Sequence, residues 1–201
     1  MPTTAHDTAL RRVVGIVALL NLGYFGVEFG VALAIGSVSL FADSVDFLED
    51  ASVNLLILLA LGWSLKARAR VGMGLAGVLL VPALATLWAL WSKFQLPAPP
   101  APLPLIVTGL GAMLVNFGCA MLLMRYRHHG GSLTRAAFLS ARNDVFANIA
   151  IVIAGAATAM THAVWPDMVV GAGIMLMNAD AAREVWQVAR SEHRDANDLR
   201  A

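Results

Sequence analysis

Six predominantly apolar runs, separated by short polar connections, account for most of this chain. They extend from about Val13 to Ile35, from the turn Gly36–Ser39 to about Trp63, and from about Val71 to Trp91. The others run from about Leu105 to Met124, from about Ala136 to Ala157, and from about Asp167 past Met177. A membrane-spanning helix needs about 20 such residues, a length the sixth run approaches only by continuing through its polar end to 184. The pattern predicts an all-α membrane protein, a bundle of six transmembrane helices. Residues 1–12 form an N-terminal segment, 13–184 the transmembrane domain, and 185–201 a short charged tail. Ser92 to Pro104 is proline-rich and reads as an extended external loop.

The polar residues inside these runs change the picture. The second run carries Asp43, Asp46, Asp50 and Asn54, which fall at i, i+3, i+7 and i+11 and therefore form one stripe on a helix. Glu49 lies to one side of it. The first run holds Asn21 and Glu28, the fourth holds Asn116, and the fifth holds Ser140, Arg142, Asn143, Asp144 and Asn148. The third has no ionisable residue. A charged side chain at the centre of a bilayer helix costs roughly 2.5–3.5 kcal/mol on insertion scales, so clustered acids need a partner, a proton or a cation.

Asp46 and Asp50 are four residues apart, as are Ser140 and Asp144, so each pair occupies one face of its helix. If the two helices face each other, the pairs present three carboxylates and a hydroxyl, with Asn143 or Asn148 as further oxygen donors. Oxygen ligands suit hard or borderline divalent cations such as manganese or ferrous iron. The lack of imidazole and thiolate weakens the case for zinc without excluding it. Acids held together away from water resist being ionised at once, so metal binding there has to displace protons. One set of residues binding metal from one side and protons from the other is the physical basis of an antiporter.

Plainer readings stand beside this one. Arg142 either snorkels to the surface or neutralises an acid, and Asp43 and Glu49 belong to the pathway or to such an ion pair. Asn54 and Asn148 serve equally well as interhelical hydrogen bonds. His128 and His129 read as solvated loop residues.

Composition agrees with the membrane reading. Hydrophobic residues make up 59% of the 201 and charged residues 13%, against about 25% charged in an ordinary soluble domain. The single cysteine, Cys119, excludes an intramolecular disulfide and a cysteine metal cluster. The net charge of +1 says little. Its distribution says more. Arg11, Arg12, Lys66, Arg68, Arg70, Arg125, Arg127, Arg135, Arg183, Arg190, Arg194 and Arg200 fall on one side of the six-helix topology, and Lys93 alone lies in a loop on the other. The positive-inside rule then places both termini in the cytoplasm of a multi-pass protein, expected in a bacterial inner membrane. Nothing marks a nucleic-acid partner. The halves also resemble each other weakly: Asp50 to Asn54 matches Asp144 to Asn148, and Asn21 has a counterpart in Asn116. A three-helix repeat in a six-helix chain would be inverted, a recurring transporter plan. An enzymatic reading fares poorly, since neither His-Glu-x-x-His nor the sequence contexts of intramembrane aspartyl proteases occur.

The order Asn21, Glu28, then Ser37 to Asp50 with acids at Asp43, Asp46 and Asp50, resembles the first two helices of the cation diffusion facilitator (cation efflux) family. Asn116, Asp144 and the Trp165-Pro166-Asp167 segment fit the same family. The similarity covers roughly Arg11 to Arg190. It implies a proton-coupled, usually dimeric exporter of divalent metal from the cytoplasm, with Asp46, Asp50 and Asp144 lining the transport site and no resident cofactor. The transported metal would be manganese, iron, cobalt, zinc or cadmium. Two departures accompany it. The position four before Asp144, usually histidine or aspartate in the family, is Ser140 here. Only a short tail follows the sixth run, so the expectation is a short form without the family's cytoplasmic C-terminal domain. An exporter of small organic cations and a non-transporting metal-binding subunit or sensor are the alternatives.

Overall fold

The computed structural model describes residues 5–60, 84–126 and 131–178, and among these the backbone forms six helices and no strand. They are α1 (Ala5–Ile35), α2 (Val38–Ala60), α3 (84–95), α4 (Pro102–Met124), α5 (Gly131–Thr161) and α6 (165–178). The basic stretch Lys66 to Arg70, most of the third apolar run, His128, His129 and the tail lie outside the described residues.

Several helices outrun the apolar stretches that predict them. Helix α1 begins at Ala5, eight residues before Val13, and α5 spans Gly131–Thr161 where hydropathy marks only 136–157. The reason is physical: hydropathy locates the bilayer edge, whereas a helix continues into water as long as its backbone bonds are made. The expected extended loop is also shorter, because α3 takes in Ser92 to Gln95 and α4 starts at Pro102. Proline suits that first turn, where the missing N–H would have had no partner.

The turn between α1 and α2 is tight. Gly36 has φ +64°, a conformation that any side chain would strain, and the Ser37 N–H bonds the Ala32 carbonyl at 3.0 Å. Asp167, in the first turn of α6, closes the start of α2. Its carboxylate accepts from the Val38 N–H at 2.8 Å, the Ser39 N–H at 3.1 Å, and the Ser37 and Ser39 hydroxyls at 2.7 and 2.6 Å. Gly171, one turn further along α6, lets the two backbones approach. A Cβ there would stand 2.9 Å from the Val38 carbonyl carbon and 3.0 Å from the Ser39 nitrogen. At the same end Lys93 donates to the Gly36 carbonyl. Burial lowers the Lys93 pKa, and the charge of Asp167 works against that.

Helices α1, α2, α5 and α4 form a ring: α1 packs along α2, α2 touches α5, α5 packs along α4, and α4 returns to α1. Two apolar clusters fill the ring at different heights. Val14, Val17, Cys119, Ala120, Leu123, Ala137 and Ala141 close one end, and Ala32, Leu40, Ala42, Leu105, Ala147, Ile151 and Ile174 close the other. Outward-facing positions are apolar too, among them Leu19, Leu33, Val107, Leu114, Phe146 and Ile153. Trp88, Trp91, Phe94 and Trp165 are exposed near the α2 start, as an aromatic belt at a membrane interface requires. A surface this apolar around a polar interior is stable in lipid and not in water. Three described helices, Thr8–Ile35 within α1, α4, and Ala137–Thr161 within α5, are long and apolar enough to span a bilayer. Helix α2 has the length, at 23 residues, and it carries the acids.

Candidate functional site

Between the two apolar clusters lies a polar layer. Asn21, Glu28, Asp43, Asp50, Asn54, Asn116, Asp144 and Asn148 are all buried there. The stripe predicted on α2 is thus real: Asp43, Asp50 and Asn54 face the ring interior and Asp46 is half-buried beside them. Seven residues separate Asp43 from Asp50, which makes the layer roughly 10 Å deep along the helix axis at 1.5 Å per residue.

At the lower level, taken as the level nearer the Val14 cluster, Asp50 is the hub. Its carboxylate accepts from the Ser140 hydroxyl at 3.0 Å and from the Asn21 amide at 3.5 Å. The carboxyl groups of Asp50 and Asp144 lie side by side. The Cys119 thiol donates to the Asn21 carbonyl oxygen at 3.6 Å, which fixes the direction of that amide. Three helices therefore orient one carboxylate. Asp46 lies four residues, about one turn, before Asp50 on α2, and Asp144 is among its acidic neighbours. Among the described residues no three of His, Cys, Asp and Glu stand close enough to hold one ion together. The α2 and α5 pairs face each other and remain short of a common point.

At the upper level the Asn148 amide donates to both oxygens of Asp43, at 3.2 and 3.0 Å, and to the Asp144 backbone carbonyl at 2.7 Å. Glu28 stands next to Asp43. Helix α6 touches this level through Asn178, whose amide donates to the Ala42 carbonyl at 3.3 Å. Asn54 lies a turn below Asp50, at the lower level, and turns back to its own helix, donating to the Asp50 carbonyl at 2.8 Å.

The candidate residues thus divide. Asp50, Asp144 and Ser140 share one level, Asp46 lies between the two, and Asn148 joins Asp43 at the other. Glu49 is half-buried beside Asp50. Asn143 is exposed and accepts from Arg142 at 3.4 Å, outside the polar layer. Arg142 is likewise exposed and donates to that neighbouring amide rather than into the polar layer. Asn21 and Cys119 carry more of the site than their sequence suggests. A small residue in an apolar run gives no sign that its thiol braces the amide that orients an acid two helices away.

A family model described as the cation efflux transmembrane domain matches residues 14–191 of the 201. No curated protein matches the chain. The match takes in both four-residue pairs, the α1 polar residues and the α6 cap. Together with the buried acids in a lipid-facing helical bundle, it makes the chain a member of the cation efflux family, membrane proteins that transport cations rather than enzymes.

Proposed function

We propose that the protein exports a divalent transition metal from the cytoplasm in exchange for protons. The observation that carries this reading is the meeting of Asp50 with Ser140 and Asp144 inside the ring, with Asp46 above them. These acids have acids as charged neighbours, so a cation of concentrated charge satisfies them where a diffuse organic cation does not. A small sliding of α5 along α2 brings the three carboxylates to one ion, and protons replace the ion when the helices part. Cargo and proton thus compete for one set of oxygens, with Asn148, Asp43 and Glu49 along the route. The proposal includes six spans, cytoplasmic termini, a bacterial inner membrane and a homodimer in the bilayer. The arginine distribution supports the orientation, and family resemblance the dimer.

The test is metal uptake into proteoliposomes under an imposed pH gradient, with manganese, iron(II), cobalt, zinc and cadmium in turn. Flux should follow the proton gradient and vanish in Asp50→Asn and Asp144→Asn. Flux that ignores the gradient would remove proton exchange from the reading. Metal bound but never moved would make the chain a sensor or subunit.

A further inference from the structure

Glu28 is the most unusual residue in the bundle. It is 0% exposed, and neither carboxyl oxygen meets an N–H or O–H donor. Buried carboxyl groups are almost always hydrogen-bonded, and one that is not asks for an ion or a proton. Its charged neighbours, Asp43 and Asp46, are themselves acids. A second buried atom, on the residue that bonds Asp43, is also unmatched: the Asn148 carbonyl oxygen has no donor, although its amide nitrogen serves Asp43 twice.

We propose that Glu28, Asp43 and Asn148 form a second divalent-cation site, distinct from the Asp46, Asp50, Asp144 and Ser140 set and one to two helical turns above it. The inference rests on the reading of the chain as a carrier of divalent metal. Two carboxylates neutralise one divalent ion, which the low dielectric of the interior requires. Turning the Asn148 amide over directs its oxygen at Asp43, supplying a third ligand and matching the atom now without a donor. The ligand set is all oxygen, which suits manganese or magnesium better than a thiophilic metal. That turn of the amide gives up the bonds its nitrogen now makes to Asp43 and to the Asp144 backbone carbonyl in exchange for an oxygen on the ion. A cation leaving the lower acids meets this site next on the way to the outer end, where the α1–α2 turn lies.

Equilibrium binding of Mn²⁺ to the purified full chain in detergent, read from the electron paramagnetic resonance signal of free Mn²⁺, tests this. The wild type should bind two ions, Glu28→Gln one and Asp50→Asn one. Asn148→Asp, which keeps an oxygen at the site, should still bind two. Size-exclusion profiles establish that each variant is folded. One ion in the wild type, lost in Asp50→Asn and untouched in Glu28→Gln, would overturn the second site and leave the carrier reading standing; a proton shared by Glu28 and Asp43 would give that result. No Mn²⁺ bound by folded wild type would overturn both.

Discussion

The hydroxyl of Ser140, at the position where the resemblance leads one to expect an imidazole or carboxylate, donates to Asp50 rather than standing free. Under the proposed function Asp50 is a metal ligand and Ser140 the group that orients it. Removing such a bond commonly weakens metal affinity by about tenfold or more. Ser140→Ala is therefore expected to raise the manganese dissociation constant roughly tenfold while leaving the fold intact. Ser140→His adds a nitrogen ligand and should shift transport toward zinc, read as the zinc-to-manganese flux ratio in liposomes. Unchanged affinity and unchanged ratio would show that Ser140 takes no part in the site. Asp50 owes its position to three other helices, through Asn21 of α1, the Cys119 thiol of α4 behind that amide, and Ser140 of α5.

At the scale of the element, α2 is the helix under most constraint. Acids that cost free energy in lipid interrupt its apolar character, and its start is clasped by α6. Asp167 accepts two backbone N–H groups there, together with both serine hydroxyls of the turn. Negative charge at a helix N-terminus is favoured by the macrodipole as well as by the bonds themselves. Asp167→Ala should lower the stability of the detergent-solubilised protein by about 2 kcal/mol, the upper end for loss of a cap. Asp167→Asn, which retains an acceptor, should lose less. Thermal unfolding followed by circular dichroism checks both, and an Ala variant that melts with the wild type would show the cap to be dispensable. The close backbone approach at Gly171 serves this contact, since α6 cannot reach Val38 and Ser39 with a larger residue there.

For the whole molecule, the sequence of layers matters more than any one of them. Among the described residues an apolar cluster lies on each side of the polar layer, so a cation inside has to pass one of them to leave. Transport requires one cluster to loosen at a time. Cys119 reports on this directly, because it is the chain's one cysteine, is 0% exposed, and belongs to the cluster that includes Val14 and Ala137. In the closed arrangement its labelling by a small thiol reagent should run at least about tenfold slower than in the denatured chain. Labelling should speed up under conditions that open the end nearer Val14. Rapid labelling in every condition would mean that this cluster does not seal the ring.

The sequence by itself determined the class, the helical period and the inward stripe. Runs of about twenty apolar residues leave few structures other than spanning helices, because a bilayer satisfies no backbone group. Asp43, Asp50 and Asn54 shared a face by arithmetic alone, and the facing pair Ser140 and Asp144 followed from the same spacing. What only the tertiary structure decided is which oxygens meet. Asn148 went to Asp43 rather than to the Asp50 level, Asn143 turned outward with Arg142, and Glu28 came to rest against Asp43. Spacing fixes the face of one helix, whereas contact between helices depends on their relative height and rotation, which side-chain packing sets. That packing is written in the small and apolar residues of the two clusters, whose partners are far away in the chain and carry no local signature.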